Sequence, residues 1–280
     1  MTVKKPKTRA AVIREGMRQL RRLCVLRPTI QNFLENALRI ARGRSIERLV
    51  LRNGMTLCGP ANHPLLEMAE EIFHAKVYTP DGWGLGAGGV VVDIGANIGI
   101  FSLMAAERQR CRVFAFEPHP ENIRFLRRNV SANRMANVTV CESAVSDLSG
   151  WQRLYVNTNP AGHSLYATSA VDGGPIDVRV PTTTLPEIMD TNHLDRVDFL
   201  KIDCEGSEGA ILLSTPADYL KRIGRLAIEF HDNVSAIAHE RIQALLEQHG
   251  FRTALRWDAA TPFGFLYARQ NGVARDAHRA

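Results

Sequence analysis

The sequence predicts an α/β fold: a mostly parallel central sheet with helices on both faces, preceded by an N-terminal helical and hairpin extension. Three observations carry this. From residue 90 onward, short β-branched runs alternate with stretches of helical period, the grammar of repeated βαβ units. The first run, "VVVDIGANIGIFSL", passes from a strand through a glycine turn into a helix. Before residue 86 the pattern is different, with two helical stripes and one strong hairpin signal. The chain of 280 residues is 45% hydrophobic, enough for one large core plus an extension. We therefore expect an extension over 1–85, an α/β domain over 86–270 and a disordered tail over 271–280.

Taken in order, Ile13, Met17, Leu20 and Cys24 recur at helical spacing, and Pro28 ends that helix. A second helix over 29–41 would carry Ile30, Phe33, Leu34, Ala37 and Leu38 on one face. "IERLVLRNGMTLCG" reads as two short strands joined at Asn53-Gly54. A helix over 63–75 follows, then "TPDGWGLGAGG", which reads as a flexible connection. The α/β part then predicts strands at 90–94, 112–117 and 138–142, with helices over 99–107 and 120–133 between them. Pro120 suits a first helical turn. Further strands are expected at 197–203 and 225–231, with a helical piece between. A helix over 235–249 is stopped by Gly250, and strands at 251–257 and 264–268 close the chain. The ligand of such a sheet lies beyond the carboxyl ends of its strands. Residues 151–185 break the rhythm as strand, long polar loop and strand, which suggests a substrate-facing flap.

Composition excludes several classes. No run approaches the roughly 20 apolar residues of a membrane span. The basic N-terminus lacks the apolar segment and cleavage site of a secretory signal. Five scattered cysteines without a CxxC pair point to reduced thiols and a cytoplasmic location. Residues 1–50 hold 13 Lys/Arg against 3 Asp/Glu, whereas the rest of the chain is net acidic. Such an arm could meet nucleic acid or make peripheral contact with an anionic membrane surface. No aromatic side chains interleave with the charges, so nucleic acid is not favoured.

The glycine turn reads Asp93-x-Gly95-x-Asn97-x-Gly99. A dinucleotide fingerprint needs a second glycine where Asn97 stands, so that the backbone can touch a pyrophosphate. No Lys-Ser/Thr follows, as a phosphate-cradling Walker loop requires. The acid before the first glycine would repel phosphate and suits a cationic ligand. S-adenosylmethionine, with an ammonium, a sulfonium and no phosphate, fits. Glu117, 18 residues past Gly99 at the end of the next strand, stands where a ribose-binding acid is expected, with Pro118 after it. Glu142 or Ser143, ending the third strand, could bond adenine or simply end that strand.

"VVVDIGANIGIFSL", "VFAFEPHPENIRFLRRNV", "LKIDCEGSEGAIL" and "LAIEFH" together resemble the motif series of the FkbM-type methyltransferases. The resemblance spans about 90–231 and does not reach 1–50. It implies a Rossmann-like class I methyltransferase fold, S-adenosylmethionine as cofactor, and O-methylation of a hydroxyl on a sugar, glycolipid or natural product. The cofactor-binding set expected is Asp93, Gly95, Asn97, Gly99, Glu117, Pro118, Glu142, Ser143 and Asp203.

In "FLKIDCEGSE" a strand delivers Lys201, Asp203 and Glu205 to one end, Gly206 permits a turn, and Ser207 can cap the next helix. Ionisable groups at a central strand end are costly unless they serve a ligand or one another. "AIEFH" adds Glu229 and His231 by period two. His231, Asp203, Glu205 and Lys201 are therefore the catalytic candidates. His231 and Asp203 lead as general base, and Asp203 could instead hold the methionine end of the cofactor. Asp203, Glu205, Glu229 and His231 could together hold a divalent ion. The spacing is no metal signature, so no metal site is assigned. An RNA methyltransferase using the basic arm is the first rival, but "DCEG" replaces the Asn/Asp-Pro-Pro-aromatic tetrad of base-methylating enzymes. A non-catalytic cofactor-binding protein is the second.

Overall fold

The computed structural model describes residues 9–61, 63–108, 110–157, 161–166 and 176–272. The extension contains α1 (Arg9–Val25), α2 (Phe33–Ala41), β1 (Arg48–Val50), β2 (Thr56–Cys58) and α3 (Leu65–Phe73). The α/β part continues with β3 (Val90–Ile94), α4 (Ile100–Arg108), β4 (Arg112–Phe116), α5 (Pro120–Ala132), β5 (Val138–Cys141) and β6 (Ala144–Val145). Then come β7 (Gly150–Val156), β8 (Ile176–Thr183), α6 (Leu185–Thr191), β9 (Phe199–Ile202), α7 (Glu208–Ser214) and α8 (Ala217–Leu220). The last elements are β10 (Arg225–His231), α9 (His239–Gln248), β11 (Phe251–Trp257) and β12 (Phe263–Gln270).

The main sheet has the order β5-β4-β3-β9-β10-β12-β11, and β12 alone runs antiparallel to its neighbours. Its central strands are buried on both faces, which is why they read as continuous apolar runs. The chain leaves β3 toward β4 on one side and later returns to β9 on the other. The carboxyl end of β3 is thus the topological switch point, where such sheets bind ligands. A separate small sheet, β6-β8-β7, carries the irregular segment toward that end.

The sequence reading and the structure part in a few places. α2 starts at Phe33 because the preceding segment is tied to the hairpin: Ile30 bridges Leu51, the Arg52 amide donates to Thr29 O and the Gln31 amide to Val50 O. α9 starts at His239 because His231 O accepts from the amides of Val234 and Ser235, forming a turn. α6 was not expected, although Thr184 caps it through a bond from the Glu187 amide and Pro186 fills its first turn. The flexible connection is instead anchored: Arg225 donates to Gly84 O at 2.7 Å, and Arg269 to Gly82 O at 3.4 Å. From residue 273 onward the predicted tail lies outside the described residues. No helix among the described residues is long and apolar enough to cross a membrane.

The helical spacing of Ile13, Met17 and Leu20 leaves open what they face; in α1 these side chains are exposed. Leu23 and Leu26 are buried instead, in a cluster shared with Leu49, Leu57, Val91 and Phe199. The extension therefore packs into the same core as the sheet.

Two asparagines, one on α5 and one at its C-cap, stitch the extension to that core. Asn129 accepts from the Cys58 amide at 2.8 Å and donates to the carbonyls of Cys58 and Ile98. One turn on, Asn133 accepts from the Thr56 amide and donates to Thr56 O, both at 2.7 Å. Each carboxamide pairs with β2 as a neighbouring strand would. The match works because one helical turn rises about as far as two strand residues. Asn129→Ala is expected to destabilise the protein by roughly 2–4 kcal/mol, because both buried Cys58 groups lose partners at ~1–3 kcal/mol each. Urea unfolding with an unchanged slope would register it; an unmoved midpoint would show the stitching to be inert.

Candidate active site

At the carboxyl end of β3 the chain crosses directly against the end of β9. A Cβ on Gly95 would lie 1.7 Å from the carbonyl oxygen of Asp203, so only glycine fits there. Gly95, Asn97 and Gly99 all have positive φ. The Asn97 side chain accepts from its neighbour's amide, Ile98 N, at 2.7 Å, and its Oδ1 lies 2.6 Å from His63 Nε2. Its amide donates to Glu117 at 2.9 Å. Gly99 serves packing: a Cβ there would sit 2.3 Å from Leu126 on α5.

Glu117 follows β4 and is buried. Its carboxylate also accepts from the His119 amide at 2.8 Å. Burial outweighs these bonds and pushes its pKa up to about 7. Glu117 lines a cavity of about 270 Å³. Tyr78, Asp203, Glu205 and Glu229 line it as well, with Glu67 and Glu71 from α3. Ala161, His163 and Leu165, from the segment expected to be a flap, also line it. Ser164 Oγ donates to the backbone of Glu205 and fastens that segment to the turn after β9.

Tyr78 Oη lies 2.8 Å from both Asp203 Oδ2 and Glu229 Oε2. One hydroxyl hydrogen can serve only one of them, so one carboxyl carries a proton. Burial and the charge of Asp203 push Glu229 up to about 8, which makes Glu229 the proton holder near neutrality. Burial likewise lifts Glu205 and Glu71 to about 7. Glu205 has positive φ, and Gly206 follows it in the same region. Glu208 secures this turn: its Oε1 accepts from the amides of Gly206 at 3.0 Å and Cys204 at 3.3 Å. Ser207, expected to cap α7, makes no side-chain cap bond and lines the cavity instead.

The expected site residues divide into two groups. Gly95, Asn97, Glu117, Pro118, Ser143, Asp203 and Glu205 line the cavity. Asp93, Gly99, Glu142, Lys201 and His231 do not, and each has a physical reason. Asp93 is fully buried and lies 3.1 Å from Lys201 Nζ, with Ser102 donating to it at 2.6 Å; it faces a cation of the protein, not a ligand. Lys201 sits behind the loop, donating to Gly95 O at 2.7 Å. Burial opposes its charge, but Asp93 and Asp203 hold its pKa above the ordinary lysine value, so it is no proton acceptor. Glu142 pairs on the surface with Arg127.

His231 stands beside the acids that line the cavity. Its Nδ1 lies 3.1 Å from buried Glu208, and its Nε2 is 3.7 Å from Glu205 and 3.9 Å from Glu229. Burial opposes its charge, yet the Glu208 bond and the surrounding acids push its pKa up to about 10. His231 thus faces these acids as their charge partner and does not line the cavity, which sets it against the general-base reading. Ligand atoms of Asp203, Glu205 and His231 lie within 4.8 Å of one another, close enough to hold a divalent ion. Glu208 on Nδ1 would leave Nε2 free to ligate it.

Tyr78, Glu71, Glu208 and His163 were not singled out from the sequence. They come from four separate segments, and no local spacing marks them. Only Glu208, in "CEGSEG", lay inside a recognised motif.

This strand order, with one antiparallel strand next to an edge and an acid-glycine loop at the switch point, is the Rossmann-like architecture of class I methyltransferases. The model of the Methyltransferase FkbM domain matches residues 93–253. The chain is 31% identical over 241 residues to the 31-O-demethyl-FK506 methyltransferase FkbM of Streptomyces tacrolimicus, covering 76% of this chain and 92% of that one. It therefore belongs to the FkbM methyltransferase family and is a methyltransferase. It is also 30% identical over 231 residues to the AMB antimetabolite synthetase AmbE of Pseudomonas aeruginosa, but spans only 11% of that protein. The methyltransferase FkbM of Methylobacillus flagellatus aligns over 93% of this chain and 60% of its own, at 14% identity and a TM-score of 0.46.

Proposed function

We propose that the protein transfers a methyl group from S-adenosylmethionine to a hydroxyl of a sugar, glycolipid or natural-product acceptor. One observation carries the cofactor. The described residues lining the cavity include six acids, Glu67, Glu71, Glu117, Asp203, Glu205 and Glu229, and no Lys or Arg. A phosphate-bearing ligand would be repelled there. A ligand with an ammonium, a sulfonium and a ribose suits it. In this reading Glu117 accepts from the ribose hydroxyls, Asp203 meets the ammonium, Ser143 borders the adenine, and the Gly95–Asn97 turn passes along the methionine part.

When bound, the cofactor supplies an electrophilic methyl whose departing sulfur leaves neutral. The protein has to align the acceptor and take its proton. Glu205 is the base best suited: it lines the cavity, its pKa is about 7, and the His231 imidazolium stabilises its ionised form. His231 is then a positioning residue, oriented by Glu208. The curated relative that methylates a hydroxyl, 31-O-demethyl-FK506 methyltransferase, supports the acceptor class.

A second reading uses the Asp203–Glu205–His231 cluster as a divalent-ion site that polarises the acceptor hydroxyl. Activity abolished by chelation and restored by Mg²⁺ would select it.

Calorimetry tests the cofactor. S-adenosylhomocysteine is expected to bind, and Glu117→Ala to weaken it by about 10- to 100-fold, the worth of hydrogen bonds to a charged group. Retention of NAD or ATP in its place would remove the reading.

A further inference from the structure

α1 turns an apolar ridge to solvent. Ile13, Met17 and Leu20 are 53%, 58% and 38% exposed at positions i, i+4 and i+7. α2, packed beside it, exposes Leu34 and Leu38 one turn apart. Single exposed apolar side chains are ordinary, but here five stand on two helices that pack together. Exposed arginines flank them: Arg14, Arg18 and Arg21 on α1, and Arg42 and Arg44 just after α2. Within α1 only Glu15 opposes them, and it is paired with Arg18. The first fifty residues carry 13 Lys/Arg and 3 Asp/Glu, although the whole chain is only +6.

We propose that α1 and α2 dock the protein on an anionic lipid surface, the apolar ridge entering the acyl boundary and the arginines meeting lipid phosphates. Charge decides against a second copy, since two strongly cationic faces would repel. A polyanion such as RNA would use the arginines and leave the ridge in water. The face also adjoins the site: Arg22 of α1 pairs with Glu67 and Glu70 of α3, and Glu67, Met68 and Glu71 of α3 line the cavity. A docked α1 would hold α3, and with it these lining residues, near the bilayer. The docking itself does not rest on the reaction proposed above.

Sedimentation of the full-length protein with vesicles tests this. It is expected to bind vesicles of phosphatidylglycerol mixed with phosphatidylcholine, and to leave pure phosphatidylcholine at least about tenfold more weakly bound. Met17→Glu and Leu34→Glu, both on the surface, should each lower binding to the anionic vesicles about tenfold while leaving the thermal melt unchanged. Three results would overturn the proposal. One is no preference for anionic vesicles. Another is binding that falls with Arg18→Glu but not with Met17→Glu, the mark of a polyanion site. The third is a dimer in solution that Met17→Glu dissociates.

Discussion

Glu205→Gln is expected to lower turnover by about 10²- to 10⁴-fold, the usual contribution of a positioned general base. Affinity for S-adenosylhomocysteine should change little. The amide keeps the size of the side chain but cannot accept the acceptor's proton. The wild-type rate should rise with pH through about 7, because burial holds Glu205 protonated below that value and only the ionised form is a base. His231→Gln removes the imidazolium whose charge lowers the Glu205 pKa. The rising limb should therefore move to higher pH, with full base strength recovered only in alkaline solution. A histidine acting as the base itself would instead lose the limb altogether. Steady-state profiles of the three proteins separate these outcomes. If Glu205→Gln turns over at the wild-type rate, Glu205 is not the base.

What the sequence made legible was whatever is encoded by spacing along one segment. The acid-glycine turn and Glu117 after the next strand follow from a strand end and a fixed offset; Asp203 and Glu205 were legible as strand-end acids, although both stand in the turn after β9 and not in the strand. Groups that meet only through the tertiary fold were illegible. Tyr78 reaches Asp203 and Glu229 from the extension, and His163 arrives from the flap. Periodicity also identified the stripe Ile13–Met17–Leu20 without saying what it faces. A helix of period 3.6 is amphipathic toward any apolar partner, and here the core took Leu23 and Leu26. Asp93 was misread for a related reason. Local sequence shows a carboxylate beside a ligand loop, but its partner, Lys201, lies on the neighbouring strand β9.

That misreading leads to the second large effect. Asp93→Ala is expected to cost roughly 3–5 kcal/mol of stability, the range for breaking one side of a buried ion pair. Lys201 is only 3% exposed, and without Asp93 its remaining acidic partner is Asp203 at 3.6 Å. Ser102 would lose its acceptor as well. Because Lys201 also holds the Gly95 carbonyl, cofactor affinity should fall too, but as a consequence of a loosened turn. The double variant Asp93→Leu with Lys201→Met removes both charges and is expected to regain most of the lost stability, since an apolar pair of similar volume often replaces a buried ion pair without loss. It should not regain affinity, because the Gly95 carbonyl stays unheld. A carboxylate that touched the ligand would behave oppositely: Asp93→Ala would weaken calorimetric binding while the urea midpoint of the ligand-free protein stayed in place. Measuring both quantities on the single and double variants therefore distinguishes an acid that binds the cofactor from one that shapes the loop behind it.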